Sequence, residues 1–378
     1  MPNSSTVMEF LLMEFSDVQN LQILHAISFS LVYLATLIVN ISIVIVTIFD
    51  KGLHIPMYFF LRNLSILDAC YISVTVPNSC INSLLGNSTI SKTGCVAQVF
   101  LVVFFVYVEL LFLTIMAHDR YVAICQPLHY PVIMNPRICT QMTLASLFSG
   151  LVYASVHTAN TFLLPFCRSN VIHQFFCDIP SLLKLSCSDT IINEITIVVS
   201  ALGIGGGCFI FIIGSYIQIF STVFKFPVEQ TGKKAFSTCI PHILVVSIFL
   251  SSGFYVYLRP SVISATTLDM VLSVFYSVIP PLFNPIIYSL RNEQIKGAMR
   301  KIMARMFYPV LFIIYKPSKE KVTITPMKFH SGKNAAMMLL IYLDTQFHTF
   351  IHFLLIQLSF SFVNLTNFPA EDALQLFS

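Results

Sequence analysis

The sequence predicts an all-α membrane protein: a bundle of seven spanning helices, then a short amphipathic helix and an atypical C-terminal extension. Three observations carry that prediction. Of 378 residues, 56% are hydrophobic and only 10% are charged, against roughly 25% charged in soluble domains. Mean hydropathy is +0.81. Apolar stretches at 23–49, 57–80, 96–118, 140–163, 193–223, 236–258 and 269–290 each reach the about 20 residues that a helix needs to cross hydrocarbon. None alternates with period two, which excludes barrel strands, the other spanning solution.

Lys and Arg set the orientation. Residues 1–22 hold only Glu9, Glu14 and Asp17 as charges, so this segment is expected outside the cell. The outer loops then hold Lys92, Arg168, Lys184 and Arg259. Twelve bases fall inside, among them Lys51, Arg62, Arg120, Arg137, Lys225, Lys233, Lys234 and Arg291. The net charge of +4 is therefore a topology signal, and no nucleic-acid partner is expected. No basic-then-apolar signal peptide opens the chain, and the first helix is expected to direct insertion.

Cys95, Cys167, Cys177 and Cys187 face the oxidising side and allow three pairings, between which the sequence does not choose. No CxxC or HxxxH pair accompanies them, which argues against zinc. Cys70, Cys125, Cys139, Cys208 and Cys239 read as free thiols in helices or on the inner side. Of five N-x-S/T sequons, topology rejects Asn40, Asn63 and Asn364. Asn87 lies close to the membrane, which leaves Asn3 as the glycosylation site.

Ionisable residues inside a membrane are costly and mark function. Asp68 in the second helix and Glu109 in the third could share a sodium ion or a proton, since two close carboxylates do not both ionise in a dry site. The plainer alternative is a single protonated carboxyl bonded to Asn40 or Asn284. Pro280, Pro281 and Pro285 make the seventh helix a hinge candidate. Gly203, Gly205, Gly206 and Gly207 soften the fifth, and Pro241 stands beside His242 in the sixth.

Five stretches carry a family resemblance: PMYFFLRNLSILD (56–68), MAHDRYVAIC (116–125), HQFFCDIPSLLKLSCSDT (173–190), KAFSTCIPHILVV (234–246) and PPLFNPIIYSLRN (280–292). Between about residues 3 and 308 the chain resembles vertebrate olfactory receptors of the rhodopsin-like, G-protein-coupled class. That resemblance implies Cys95–Cys177 and Cys167–Cys187 as disulfides, and Asp68 and Glu109 in a polar centre. It implies that Asp119 restrains Arg120 at rest, and that Arg120 engages the G protein once helix six moves outward. Tyr216 and Tyr288 would swing in behind it, with His242 and Asn284 counted in the same switch.

By the same resemblance the partners are an odorant, the lipid bilayer and a stimulatory, olfactory-type heterotrimeric G protein that raises cyclic AMP. The odorant pocket falls on Val102, Val103, Val106, Tyr107, Ser200, Ile204, Gly253, Phe254, Tyr257 and Ser277. These are mostly apolar with a few hydroxyls and no charge, which suits a small, neutral, hydrophobic volatile. No cofactor is expected beyond the sodium ion. The implied location is the plasma membrane, with the N-terminus extracellular and the C-terminus cytoplasmic.

Four features depart from the family pattern. Val39 precedes Asn40 in place of glycine, Leu250 stands where a tyrosine is common, and His118 replaces the tyrosine before Asp119, beside the G-protein surface. The fourth is the tail. Residues 291–308 suit a membrane-lying helix, with Ile295, Met299, Ile302 and Met306 on one face. Residues 309–378 have a composition closer to read-through sequence than to a folded domain, and are expected to be poorly ordered. Asp344, Gln346, His348, His352 and Gln357 interrupt its apolar run at 335–363.

Two other classes compete. A proton- or ion-coupled transporter would use Asp68 and Glu109, but the hydropathy shows no internal repeat. An intramembrane hydrolase would need an HExxH pair or a GxSxG elbow, and neither is present. The chain reads as a receptor and not an enzyme.

Overall fold

A computed structural model describes residues 9–12, 19–78, 80–81, 89–167, 169–225, 229–258, 266–291 and 294–298. Seven long helices fill it: α1 (Gln19–Phe49), α2 (Pro56–Thr75), α3 (Lys92–Cys125), α4 (Pro136–Phe162), α5 (Ile191–Lys225), α6 (Glu229–Leu258) and α7 (Thr266–Arg291). Local chemistry sets several of their starts. Pro56 and Pro136 occupy the first turns of α2 and α4, where a missing N–H costs nothing. Ser91 caps α3 by accepting from Gly94 N at 3.1 Å, and Asn135 caps α4 by accepting from Ile138 N at 2.9 Å.

By length and hydropathy alone, Gln22–Phe49, Lys92–Cys125, Pro136–Phe162 and Ile191–Lys225 suffice to cross a membrane. The other three carry Asp68, His242 and Asn284. Helix α3 is longer than the apolar run 96–118 implies. It continues to Cys125, so MAHDRYVAIC is helical throughout.

Helix α3 packs against α2, α4 and α5, while α7 packs against α1, α2 and α6. Gly150 of α4 lets α3 approach closely: a Cβ there would lie 2.5 Å from Val108 Cγ2. In α5, a single π turn, Ala201–Gly205, interrupts the α-helical ladder. One-turn π bulges of this kind recur at functional sites.

The end of the bundle expected to face outside, called the outer end below, is closed by structure that composition alone does not reveal. Residues Glu9–Leu12 form β1, which pairs antiparallel with β2 (Thr89–Ser91) and parallel with β3 (Val171–Ile172). Phe10 and Leu12 point inward and join a cluster with Cys95, Val99, Ile172, Cys177 and Leu182. Cys95 pairs with Cys177 and Cys167 with Cys187, at Cα separations of 5.5 and 5.7 Å. Gln98 binds the same loop, accepting from Cys177 N and donating to Val74 O, each at 2.8 Å.

Cys70, Cys80, Cys125, Cys139, Cys208 and Cys239 are free thiols. Residues 294–298, in a separate unit that begins at Glu293, are helical. The rest of the amphipathic segment, the extension 309–378 and Asn3 lie outside the described residues.

Candidate functional site

A cavity of about 140 Å³ opens in the outer half between α3, α4, α5 and α6. Six residues singled out from the sequence line it: Val103, Val106, Tyr107, Ser200, Ile204 and Gly253. Leu250 lines it too, where the family pattern has a tyrosine. Val102 is buried but is not part of this wall. Ser277 is buried and donates to Val274 O at 3.4 Å. The side chains of Phe254 and Tyr257 lie outside the described residues.

Sequence reasoning missed helix α4. Tyr153 and His157 line the cavity, and their four-residue spacing on an apolar helix was the available signal. They converge on α5: Ser200 Oγ lies 3.1 Å from Tyr153 Oη and 3.2 Å from His157 Nε2. The Tyr107 ring stacks on Tyr153 with centroids 4.5 Å apart.

Ile179, from the second outer loop, completes the wall. Its neighbour Asp178 is buried, accepting from Ile179 N at 2.8 Å and from the Tyr276 hydroxyl of α7 at 2.6 Å. Burial pushes the Asp178 carboxyl up to about 6, against the lowering effect of those two donors and of Lys184.

Deeper in the bundle, Asn284 Nδ2 donates to Glu109 Oε1 at 2.8 Å and to Asp68 Oδ2 and Oδ1 at 3.1 and 3.3 Å. Asn40 is not their partner. Its Nδ2 donates to Pro281 O at 2.9 Å and to Thr36 O at 3.0 Å. Pro285 has no N–H to offer the Pro281 carbonyl one turn back, so Asn40 satisfies it from α1. As disposed, the polar centre presents the Asn284 amide N–H groups to both carboxyls. No cluster of three or more His, Cys, Asp or Glu is present among the described residues.

At the inner end, Arg120 Nε stands 4.0 Å from Asp119 Oδ2. The stronger partner of Asp119 is Tyr130, whose hydroxyl donates to Oδ1 at 2.8 Å. Burial and the adjacent carboxylate hold the Tyr130 phenol above its ordinary range, so it stays a donor. Sequence reasoning passed over this loop tyrosine. Tyr216 Oη and His242 Nδ1 are 2.6 Å apart, tying α5 to α6. Arg120 Nη2 and Tyr288 Oη are buried with no hydrogen-bond partner among the described residues. His118 is half-buried, its ring 5.9 Å from Phe211 of α5.

The family model described as olfactory receptor matches residues 29–306. The chain belongs to the olfactory receptor family. Human olfactory receptor 14C36 is 77% identical over 308 residues, covering 82% of this chain and 99% of that one. Human olfactory receptor 14A16 is 52% identical over 299 residues, covering 79% and 96%. Squid rhodopsin shares the fold, with a TM-score of 0.62 at 15% identity over 80% of this chain and 89% of its own.

This olfactory receptor is thus a multi-pass plasma-membrane protein of rhodopsin-like architecture that responds to odorants through a G protein. It is a receptor and not an enzyme, and the transporter and hydrolase readings give way.

Proposed function

We propose that the outer cavity is the odorant site and that it takes small, neutral, hydrophobic volatiles. The observation that carries this reading is the wall itself: no Asp, Glu, Lys or Arg stands among its described lining residues. A charged ligand would shed its water there without a counter-ion, at a cost of several kcal/mol.

Arg120 is the group that engages the G protein, which is of the stimulatory type and raises cyclic AMP. Asp119 and Tyr130 hold the resting arrangement. Tyr216, His242, Asn284 and Tyr288 carry the change of state between the cavity and Arg120. The N-terminus, with a glycan on Asn3, is extracellular and the C-terminus is cytoplasmic. Asp68 and Glu109 share one proton across Asn284, with sodium as the competing occupant. The proton is favoured because two carboxyls bonded to one amide nitrogen in a dry site do not both ionise.

The cavity is tested by filling it. A Cβ at Gly253 meets nothing within 4 Å, so Gly253→Leu occupies the space without a clash at its first atom. Cells expressing the receptor should give a cyclic AMP response to an odorant panel, and Gly253→Leu should lose it at equal surface expression. An undiminished response in the filled variant would place the odorant elsewhere.

A further inference from the structure

We propose that the receptor is selective for small alcohols over carbonyl compounds and hydrocarbons of the same size. The proposal rests on the outer cavity being the odorant site and names the chemistry that its polar wall selects.

The Ser200 hydroxyl has one proton and three polar neighbours: Ile197 O at 2.9 Å, Tyr153 Oη at 3.1 Å and His157 Nε2 at 3.2 Å. Its shortest contact, to Ile197 O, needs that proton, because a carbonyl cannot donate. Tyr153 and His157 must then both donate to Ser200 Oγ. If the Ser200 proton went to His157 instead, Tyr153 would still have to donate. With the shortest contact kept, the Tyr153 proton is committed to Ser200 Oγ and the Tyr153 oxygen is left with acceptor capacity only; freeing that proton requires Ser200 to donate to Tyr153 and give up Ile197 O.

Tyr107 differs. Its ring lies on that of Tyr153, and its hydroxyl has no hydrogen-bond partner among the described residues. The wall therefore offers one free donor, Tyr107, beside one free acceptor, Tyr153. A hydroxyl is the small uncharged group that meets both, since it donates and accepts at one atom. A carbonyl or an ether meets Tyr107 alone, and a hydrocarbon meets neither.

Size narrows the class further. The cavity of about 140 Å³ is close to the ~150 Å³ apolar cavity that takes benzene, so the ligand has on the order of six to eight non-hydrogen atoms. Ile204, Leu110, Phe249 and Leu250 supply the apolar remainder.

The test compares hexanol, hexanal and heptane, matched in size, by cyclic AMP dose response in cells expressing the receptor. Hexanol should be about tenfold more potent than hexanal, the size of effect that one hydrogen bond gives, and heptane should be weakest. Tyr153→Phe should bring hexanol down to hexanal and leave hexanal in place, whereas Tyr107→Phe should weaken both. Ser200→Ala frees the Tyr153 proton for the ligand and should raise hexanal.

A merely structural role for Tyr153 would move all three compounds together, and that result would overturn the proposal. So would hexanal matching hexanol on the unaltered receptor. Responses that survive Gly253→Leu would instead remove the cavity reading beneath it. A surface-expressed receptor silent to every volatile in a broad panel would remove both.

Discussion

In the outer half of the bundle, Ser200, Tyr153 and His157 bond one another beside an apolar cavity, and a disulfide-held loop packs over it. In the inner half, Arg120 Nη2, a charged donor, is buried without a partner among the described residues, as is Tyr288 Oη, whereas the unpartnered buried atoms Thr158 Oγ1 and Gln174 Oε1 of the outer half are neutral. A buried polar group left unpaired costs about 1–3 kcal/mol, so the inner half rests in an arrangement that a different packing could improve. The outer half is built to hold its shape while selecting a ligand. The inner half keeps donors in reserve, and a partner protein that accepts from Arg120 recovers that cost.

Breaking the outer half should have the largest effect. Losing a disulfide from a small structural unit costs about 2–5 kcal/mol, and Cys95–Cys177 ties α3 to the loop above the cavity. Cys95→Ser should abolish surface staining of intact cells. Near-normal staining would mean that the sheet β2-β1-β3 and the buried loop residues hold the outer end unaided.

The inner half should respond by signalling rather than by misfolding. Tyr130→Phe removes the 2.8 Å bond to Asp119 and loosens the restraint on Arg120. Basal cyclic AMP should rise about 2- to 10-fold, the range set by one hydrogen bond. An unchanged basal level at matched expression would leave the restraint to Asp119 and Arg120 alone.

The smallest expected effect is a pH dependence in the outer loop. Burial raises the Asp178 carboxyl from 3.8 to about 6, so between those values the folded state binds more protons than the unfolded one. Stability is then fully present below the lower value and is lost as pH rises through the upper one. Thermal unfolding of the purified receptor should show this decline across pH 4 to 6, and Asp178→Asn should flatten it. An unaltered slope in that variant would assign the titration to another group.

The helices were legible because an apolar run of spanning length has few alternatives. The Asp119–Arg120 pair was legible because its motif is contiguous, whereas the four outer cysteines left three pairings open and only the family resemblance implied the two bridges that form. What the sequence hid depends on distance along the chain. Strand β1 is four residues long, and its partners start near residues 89 and 171, so no local pattern marks it. Tyr153 and His157 read as ordinary α4 residues until Ser200 is placed beside them. Asn40 and Asn284 were alternatives as partner of a protonated carboxyl; Asn284 is the one that meets the carboxyls, and Asn40 bonds the Pro281 carbonyl of α7. His118, expected beside the G-protein surface, has its ring 5.9 Å from Phe211 of α5, a neighbour that no local pattern marks.

The central claim is that a ligand in the outer cavity is read out by Arg120 at the inner end. The direct measurement is the cyclic AMP response to an odorant mixture in cells carrying the receptor or its Arg120→Ala variant, at matched surface expression. The account predicts a response in the first and background in the second. A response of equal size in both would contradict it.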